Sequence, residues 1–188
     1  MERLILVRHA EPHISPDLDA AAWPLTSRGE IAVRHLATVL SDLKPDWIVT
    51  SPERKARETA ALIAESLEIP VAEEPLIAEQ GAGPDEFIAD YGEFRDRVRA
   101  HFDRPEEVVF RNEAAADAVR RMAMCVDQCG DAEGVPVLVT HGRIMASWLG
   151  SLTGQDAWQI WNDLRMPDLI EVDLADRSFR SYVVPLMP

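Results

Sequence analysis

Short apolar runs alternate along this chain with longer segments in which apolar residues recur at the spacing of a helix face. Leu4–Val7 is the first such run, and Trp47–Val49 and Val135–Val139 follow later. Short runs rich in β-branched residues are typical of buried strands, and helical segments between them are typical of parallel pairing. The pattern therefore predicts an α/β fold with a mainly parallel sheet and helices on both faces, a three-layer α/β/α sandwich.

Capping residues and prolines set the predicted helix boundaries. Ser27 and Glu30 have the spacing of a capping box, and the apolar residues that follow recur as on one face of a helix. Ser51 with Pro52 after it predicts a helix over 52–67 in which the serine is the N-cap. Further helical segments are predicted over 86–102, 112–128, 143–149 and 157–164.

The remaining predicted elements lie at the edges of the sheet. Residues 69–72 are expected to form a short edge strand. Residues 169–174 and 179–184 read as a hairpin that turns at 175–178, which gives the sheet an antiparallel edge. The acidic segment 75–107 is expected to pass over the functional end of the sheet rather than fold separately.

Length and composition restrict the possible functions. The chain has 188 residues, which suits one well-buried core, so a single domain over 1–188 is expected. With 47% hydrophobic and 28% charged residues it has the composition of a soluble globular protein, and its apolar runs are shorter than the ~20 residues that span a bilayer. The formal net charge of -14 argues against nucleic acid as a partner. Neither nucleic acid nor membrane is therefore expected, and the oligomeric state stays open.

The start of the chain and its cysteines bear on the cellular compartment. Met1 and the residues after it lack the long apolar core and the small-residue cleavage site of a secretory signal. Cys125 and Cys129 lie one helical turn apart, which makes them neighbours on a helix rather than part of a metal-binding pattern. Free thiols are typical of a reducing compartment, so a cytoplasmic location is expected.

Positive charge is gathered in three short segments of this acidic chain. Arg8 follows the first predicted strand, Arg54, Lys55 and Arg57 follow the second, and Arg143 follows a later one. Right-handed crossovers bring the carboxyl ends of parallel strands to one side of a sheet, so these cations are predicted to converge. A cationic pocket on an acidic protein favours a small anion as its ligand.

Two histidines stand at the same strand ends. His9 follows Arg8, and His141 precedes Gly142. A neutral imidazole can attack phosphorus and hold the phosphoryl group, which divides one difficult displacement into two easier ones. Surrounding cations offset charge on the oxygens of the transferring group, and backbone N–H groups of a helix that begins near Gly142 would add to this. The arrangement predicts a phosphate site built on both histidines.

Four ordered segments carry a resemblance to a known family over nearly the whole chain. They are Leu6-Val7-Arg8-His9-Ala10-Glu11, Pro24-Leu25-Thr26-Ser27-Arg28-Gly29, Thr50-Ser51-Pro52 with Lys55-Ala56 and Thr59-Ala60, and Val139-Thr140-His141-Gly142. In this order they resemble the signatures of the histidine phosphatase superfamily, which has the phosphoglycerate mutase-like fold.

The resemblance implies a metal-independent phosphomonoesterase without a cofactor, acting on a small phosphorylated metabolite through a phosphohistidine. It implies that His9 is the phosphorylated nucleophile and that Arg8 and His141 lie in the phosphate pocket, where His141 is also counted as catalytic. Glu79 takes the place of the glutamate that donates a proton to the leaving group in this family. Such a donor is needed because an alkoxide leaves poorly.

The sequence departs from the family in its phosphate pocket. Lys55 stands where the family has an arginine, and lysine keeps the charge but loses the planar fork that binds two phosphate oxygens. Arg54 and Arg57 are alternatives for the missing arginine. The residues predicted to bind phosphate are Arg8, Lys55, Arg57 and Gly142.

Three other functions stay open. One is a phosphoglycerate mutase-type phosphoryl transferase, and another is a protein phosphohistidine phosphatase. A third, suggested by Lys55, is a regulatory protein that binds phosphate with weakened catalysis. The chain is short and lacks obvious lid insertions, which by analogy within the family favours a phosphatase over a mutase.

Overall fold

Six strands form one sheet within residues 1–80, 87–110 and 113–184, the parts of the chain that the computed structural model describes. The strands are β1 Arg3–Arg8, β2 Trp47–Thr50, β3 Val71–Glu73, β4 Pro136–Thr140, β5 Asp168–Asp173 and β6 Ser178–Tyr182. Their order is β3-β2-β4-β1-β5-β6. The first four are parallel, whereas β5 is antiparallel to β1 and β6 to β5. The predicted mainly parallel sheet with an antiparallel edge is confirmed.

Helices cover both faces of this sheet. They are α1 Ser27–Ser41, α2 Arg54–Leu67, α3 Tyr91–Asp103, α4 Ala115–Cys129, α5 Gly142–Thr153 and α6 Ala157–Asp163. Leu4 and Leu6 of β1 pack into the core shared with α4, α5 and α6, whereas Ile5 and Val7 pack into the core shared with α1 and α2. Successive side chains of a strand point to opposite faces, so a strand covered on both sides needs an unbroken apolar run. Burial contributes about 1.5–3 kcal/mol for each such side chain.

Two helices begin at residues other than those predicted. The N-cap of α1 is Thr26, whose hydroxyl accepts a hydrogen bond from the Gly29 N–H at 2.9 Å, so the capping position lies one residue before Ser27. Helix α2 begins at Arg54 with Glu53 as its N-cap, not at Pro52. Ser51, the predicted cap, instead places its hydroxyl 2.7 Å from the ring of His141.

The register of the parallel strands brings the predicted site together. Arg8 is paired with Thr140, so His9 and His141 come next on neighbouring strands. Thr50 of β2 is paired with Val139 of β4, and Ser51 follows at the same end. Because parallel strands end on one side of the sheet, three strand ends deliver their polar residues to one place.

The segment predicted to pass over the sheet is observed in part. Its described residues contain the short 3-10 helix Pro75–Ile77, the loop with Glu79, and α3, which contacts α6. The hydroxyl of Thr140 donates to the Ile77 carbonyl at 2.6 Å, which holds this loop against the end of β4. The helical segment predicted to start at 86 and the one predicted to start at 112 both have their first residue outside the described residues.

Two smaller predictions concern the cysteines and the membrane. Cys125 and Cys129 are free, buried thiols on one face of α4, as expected. No helix among the described residues combines the length and the apolar character needed to cross a bilayer.

Candidate active site

His9 and His141 form the centre of the site. Their ring centroids are 5.0 Å apart, with the ring planes at 60°. His141 is completely buried, whereas His9 keeps 6% of its surface exposed. His9 is therefore the imidazole that a solute reaches from solvent, and His141 lies behind it.

The ring of His9 is arranged to present an unprotonated nitrogen. Its Nδ1 lies 2.8 Å from the carbonyl oxygen of Ala10. A carbonyl only accepts hydrogen bonds, so Nδ1 carries the proton and Nε2 has the free lone pair. Burial, and then the electrostatic effects of His141, Lys55 and Arg8, hold the pKa of His9 well below its ordinary value. At neutral pH His9 is a neutral imidazole, as a nucleophile must be.

His141 is held by residues from the end of β2. Its Nε2 lies 2.7 Å from the Ser51 hydroxyl and 3.4 Å from a carboxylate oxygen of Glu53. Burial and the charge of Lys55 lower the pKa of His141 well below its ordinary value, although Glu79 acts in the opposite direction. At neutral pH both histidines of the site are thus neutral.

Arg8 lies against the first residue of α5. Its guanidinium donates to the Leu164 carbonyl at 3.1 Å, while its buried Nε–H has no partner among the described residues. A Cβ added at Gly142 would come within 2.9 Å of the guanidinium carbon. Glycine at this position therefore leaves the space that the Arg8 guanidinium occupies.

Of the three cations after β2, the structure brings only Lys55 close to the histidines. Its ammonium is buried, pairs with Glu53 and donates to the Ala20 carbonyl at 2.7 Å. Arg57 is exposed and pairs with Glu73 at 2.9 Å, and Arg54 is exposed and pairs with Glu58. The placement of Arg57 therefore gives no support to its predicted role in binding phosphate, because its face of α2 points away from the site.

Glu79 reaches the site as predicted, but in an ionised form. Its carboxylate accepts hydrogen bonds from the N–H groups of Arg143 and Ile144, both at 3.1 Å, in the first turn of α5. Burial raises the pKa of this carboxyl, but the positive charge of Arg143, the electrostatic effect of His141 and the hydrogen bond from the Arg143 N–H outweigh it and lower the pKa. Glu79 is thus a carboxylate that lies at the positive end of α5.

Arg143 connects Glu79 to a second layer of buried groups. Its Nε lies 3.5 Å from a Glu79 carboxylate oxygen, and its guanidinium donates to the Gln80 carbonyl at 3.1 Å. The guanidinium carbon lies 3.8 Å from the ring centre of Phe110, within range of a cation–π contact. These contacts hold the Arg143 guanidinium between Glu79, Gln80 and Phe110.

Glu53 belongs to the site and was missed in the sequence. It is buried, with one carboxylate oxygen on Lys55 and the other accepting from the Glu79 N–H at 2.9 Å. The only sequence signal is its position directly after Ser51 and Pro52, at the end of a strand that ends in polar residues. In a chain with 33 acidic residues, that signal does not separate Glu53 from a surface glutamate.

The comparisons with known proteins agree with this geometry. The chain matches the model of the histidine phosphatase superfamily (branch 1) over residues 4–181. It is 26% identical over 183 residues to the Bacillus subtilis (strain 168) protein named uncharacterized phosphatase PhoE, covering 96% of this chain and 92% of that protein.

Solved structures are similar over the same length. A mycobacterial glucosyl-3-phosphoglycerate phosphatase has a TM-score of 0.72 at 20% identity, covering 97% of this chain and 98% of its own. YhfR of Bacillus stearothermophilus has a TM-score of 0.71 at 24% identity, covering 96% of this chain and 95% of that protein. At these identities the likeness establishes the fold.

The family match includes both strand-end histidines, the polar segment after β2 and the loop with Glu79. Its span leaves out only the first three residues and the last seven. The chain therefore belongs to the histidine phosphatase superfamily (branch 1), and it is a phosphatase of that family.

Proposed function

We propose that this phosphatase hydrolyses a small phosphomonoester through a phosphohistidine at His9. The observation that carries the proposal is the approach of two neutral imidazoles to 5.0 Å at the end of β1 and β4, with Arg8 and Lys55 beside them. A neutral nucleophile among fixed cations is what phosphoryl transfer to nitrogen requires.

The proposed reaction has two displacements. In the first, Nε2 of His9 attacks phosphorus, the bond to the ester oxygen breaks, and that oxygen leaves as an alcohol after taking a proton. In the second, water attacks the phosphohistidine, the N–P bond breaks, and inorganic phosphate and neutral His9 are formed. The Nδ1–H bond to the Ala10 carbonyl keeps the same ring nitrogen available in both steps.

Arg8 and Lys55 are proposed to bind the phosphoryl oxygens. The unpartnered Nε–H of Arg8 is a donor available to an anion, and Lys55 has one N–H left after its bonds to Glu53 and Ala20. Gly142 contributes by admitting the Arg8 guanidinium and by opening α5, whose first N–H groups favour an anion. His141 is proposed to contact the same phosphoryl group from the buried side.

Glu79 is proposed to donate the proton to the leaving oxygen. It must be protonated for this, whereas Arg143 and the N–H groups at the start of α5 favour its ionised form. A phosphate dianion bound next to it supplies negative charge and competes for the N–H groups at the start of α5, and both effects raise the pKa of a neighbouring carboxyl. Binding of the substrate is therefore proposed to favour the protonated form of Glu79, which can act as an acid.

The test is turnover of p-nitrophenyl phosphate in the presence of a metal chelator. Wild type is expected to release phosphate at an undiminished rate with chelator, and His9→Ala is expected to lose the activity by a factor of about 10³ or more. His13→Ala is the matched control, because His13 is exposed. Equal activity of wild type and His9→Ala would contradict the proposal.

One observation favours a second candidate, a regulatory protein that binds phosphate but turns it over poorly. The cation nearest to the histidines after β2 is already paired with Glu53, which weakens its hold on a substrate anion. A wild type that binds inorganic phosphate but hydrolyses neither p-nitrophenyl phosphate nor a panel of phosphorylated metabolites would support this candidate.

The same panel separates the other two functions. A mutase converts a phosphoglycerate into its isomer, and a protein phosphohistidine phosphatase prefers a phosphorylated protein to sugar phosphates.

A cytoplasmic location is also proposed, supported by the free thiols of Cys125 and Cys129. Fractionation of cells that express the chain tests it.

A further inference from the structure

Glu53 places a carboxylate inside a pocket whose proposed ligand is an anion. Its side chain is 5% exposed and does not cap its own helix, although Glu53 is the N-cap residue of α2. Isolated buried carboxylates are costly, so a carboxylate kept at this place must be compensated by its neighbours. Those neighbours are all residues of the proposed site.

The contacts of Glu53 join three separate segments. One oxygen pairs with the Lys55 ammonium, within the first turn of α2. The other oxygen accepts from the Glu79 N–H at 2.9 Å and lies 3.4 Å from Nε2 of His141. Moving this one carboxylate would therefore disturb the proposed phosphate-binding lysine, the loop of the proposed acid and the second histidine together.

Glu53 also changes the charge of the pocket. Lys55 acts electrostatically on both histidines, which places its charge within reach of an anion bound between them. Since the Glu53 carboxylate is in direct contact with Lys55, it offsets most of this positive charge at the distance of a bound phosphate. The pocket thus holds an anion less strongly than its cations alone would.

We propose that Glu53 is a positioning residue that also sets how strongly the site holds phosphate: it fixes Lys55 and His141 in place, and its charge keeps the affinity low enough for product release. The proposal rests on the proposed function, because inorganic phosphate is the product of the second displacement. A cationic pocket without Glu53 would retain this product and turn over slowly.

A purely structural role for Glu53 predicts the opposite result. If the carboxylate only anchored Lys55 and the Glu79 loop, its neutralisation would loosen the pocket and weaken the binding of anions. If its charge sets the affinity, the same neutral replacement strengthens binding. The sign of the change in phosphate affinity therefore decides between the two.

The experiment is calorimetric titration of Glu53→Gln with inorganic phosphate at pH 7, beside wild type. We expect the dissociation constant for phosphate to fall by about tenfold, since removing one unit of negative charge a few ångströms from the ligand is worth at least this factor. In turnover of p-nitrophenyl phosphate, KM and kcat are both expected to fall, with stronger inhibition by phosphate. Glu65→Gln is the matched control, because Glu65 is an exposed glutamate on α2, and it should leave the constant unchanged.

A double variant keeps the test decisive if Glu53→Gln alone is poorly folded. Glu53→Gln combined with Lys55→Met removes both members of the buried pair, so neither charge is left unpaired. Its phosphate affinity is expected to return to within about threefold of wild type, whereas Lys55→Met alone weakens binding. Unchanged or weaker phosphate binding in a folded Glu53→Gln would overturn the proposal. If Glu53→Gln does not fold, a double variant that binds phosphate no more strongly than Lys55→Met alone would overturn it.

Failure of this inference is distinguishable from failure of the proposed function, because phosphate binding is measured without turnover. A wild type that binds phosphate but forms no phosphohistidine contradicts only the mechanism at His9. A wild type that turns over normally while Glu53→Gln binds phosphate no more tightly contradicts only the role of Glu53.

Discussion

Replacing Gly142 with alanine should damage the phosphate site without damaging the fold. The added Cβ would lie 2.9 Å from Cζ of Arg8, 3.0 Å from its Nε and 3.1 Å from its Nη2. Carbon atoms in contact lie about 3.5–4.0 Å apart, so the guanidinium has to move by roughly half an ångström or more. The nearest atoms belong to a side chain, so Arg8 moves rather than the backbone of α5.

The expected cost follows from what Arg8 donates. A hydrogen bond to a charged group contributes about 1.5–3 kcal/mol, so losing one from a bound phosphoryl group lowers kcat/KM by about 10- to 150-fold. The free energy of unfolding should change little, because Gly142 is the first residue of α5 and the preference for alanine over glycine, about 1 kcal/mol, applies to helix interiors. Gly142→Ala is therefore expected to lose activity without losing stability.

The assay is kcat/KM for p-nitrophenyl phosphate in Gly142→Ala, Arg8→Ala and the double variant, with the midpoint of thermal unfolding for each. Because Gly142 acts through Arg8, the double variant should be no worse than Arg8→Ala alone. Gly92→Ala is a control, since a Cβ there would lie 3.0 Å from the carboxylate of Asp90, the N-cap of α3, and would touch none of the proposed site residues. Full activity of Gly142→Ala, or additive losses in the double variant, would refute the reasoning.

Three further predictions concern other groups. Glu79→Gln should lower kcat strongly for an alkyl phosphate and much less for p-nitrophenyl phosphate, whose leaving group needs no proton; equal losses on both substrates would remove Glu79 as the acid. His101 is fully buried, and burial followed by the charge of Arg143 lowers its pKa from 6.5 to about 4. The unfolded chain therefore takes up a proton at this position first, and the free energy of unfolding should decline as pH falls from 6.5 to 4, by about 3 kcal/mol from this group. Urea unfolding across this range should show a shallower decline in His101→Leu, and an unchanged slope would contradict the assignment. Arg57→Ala should leave kcat/KM unchanged and alter stability by no more than about 0.5 kcal/mol, because its pair with Glu73 is exposed; a tenfold loss of activity would place Arg57 back in the site.

The sequence predicts the sheet well because the central strands are covered on both sides. The unbroken apolar run in β1 is typical of a strand that is covered on both faces, and the helices between the first four strands supply the crossover connections that parallel pairing needs. His9 and His141 could be placed together for the same reason, since the ends of neighbouring parallel strands coincide. The pairing order and register that bring their rings to 5.0 Å were not predicted.

The residues after β2 show where prediction from sequence stops. The resemblance places Lys55 at the family's arginine but leaves Arg54 and Arg57 as alternatives, because the rotation of α2 about its axis decides which cation faces the histidines. That rotation is set by the apolar face of α2, which packs against α1 and the sheet. The predicted N-cap is Ser51, whereas the observed N-cap is Glu53, two residues later. Because the prediction places Glu53 inside the helix, it gives no sign that Glu53 belongs to the site.

The electrostatic state of Glu79 was equally inaccessible. The sequence places a glutamate on the loop after β3, but its pKa depends on the first turn of α5 and on Arg143, which are more than 60 positions away. Burial alone would have made this carboxyl a ready acid. The charge of Arg143, the interaction with His141 and the hydrogen bond from the Arg143 N–H, which together reverse the effect of burial on this pKa, act on Glu79 only in the folded chain.

Trapping the covalent intermediate tests the central claim most directly. The protein is mixed briefly with a phosphomonoester carrying a radioactive phosphoryl group, quenched, and examined for label bound to the chain. The account predicts label that is labile in acid, stable in base, located at His9, and absent from His9→Ala but present in His13→Ala. Steady turnover of the same ester with no such label, or with label on a residue other than His9, would contradict it.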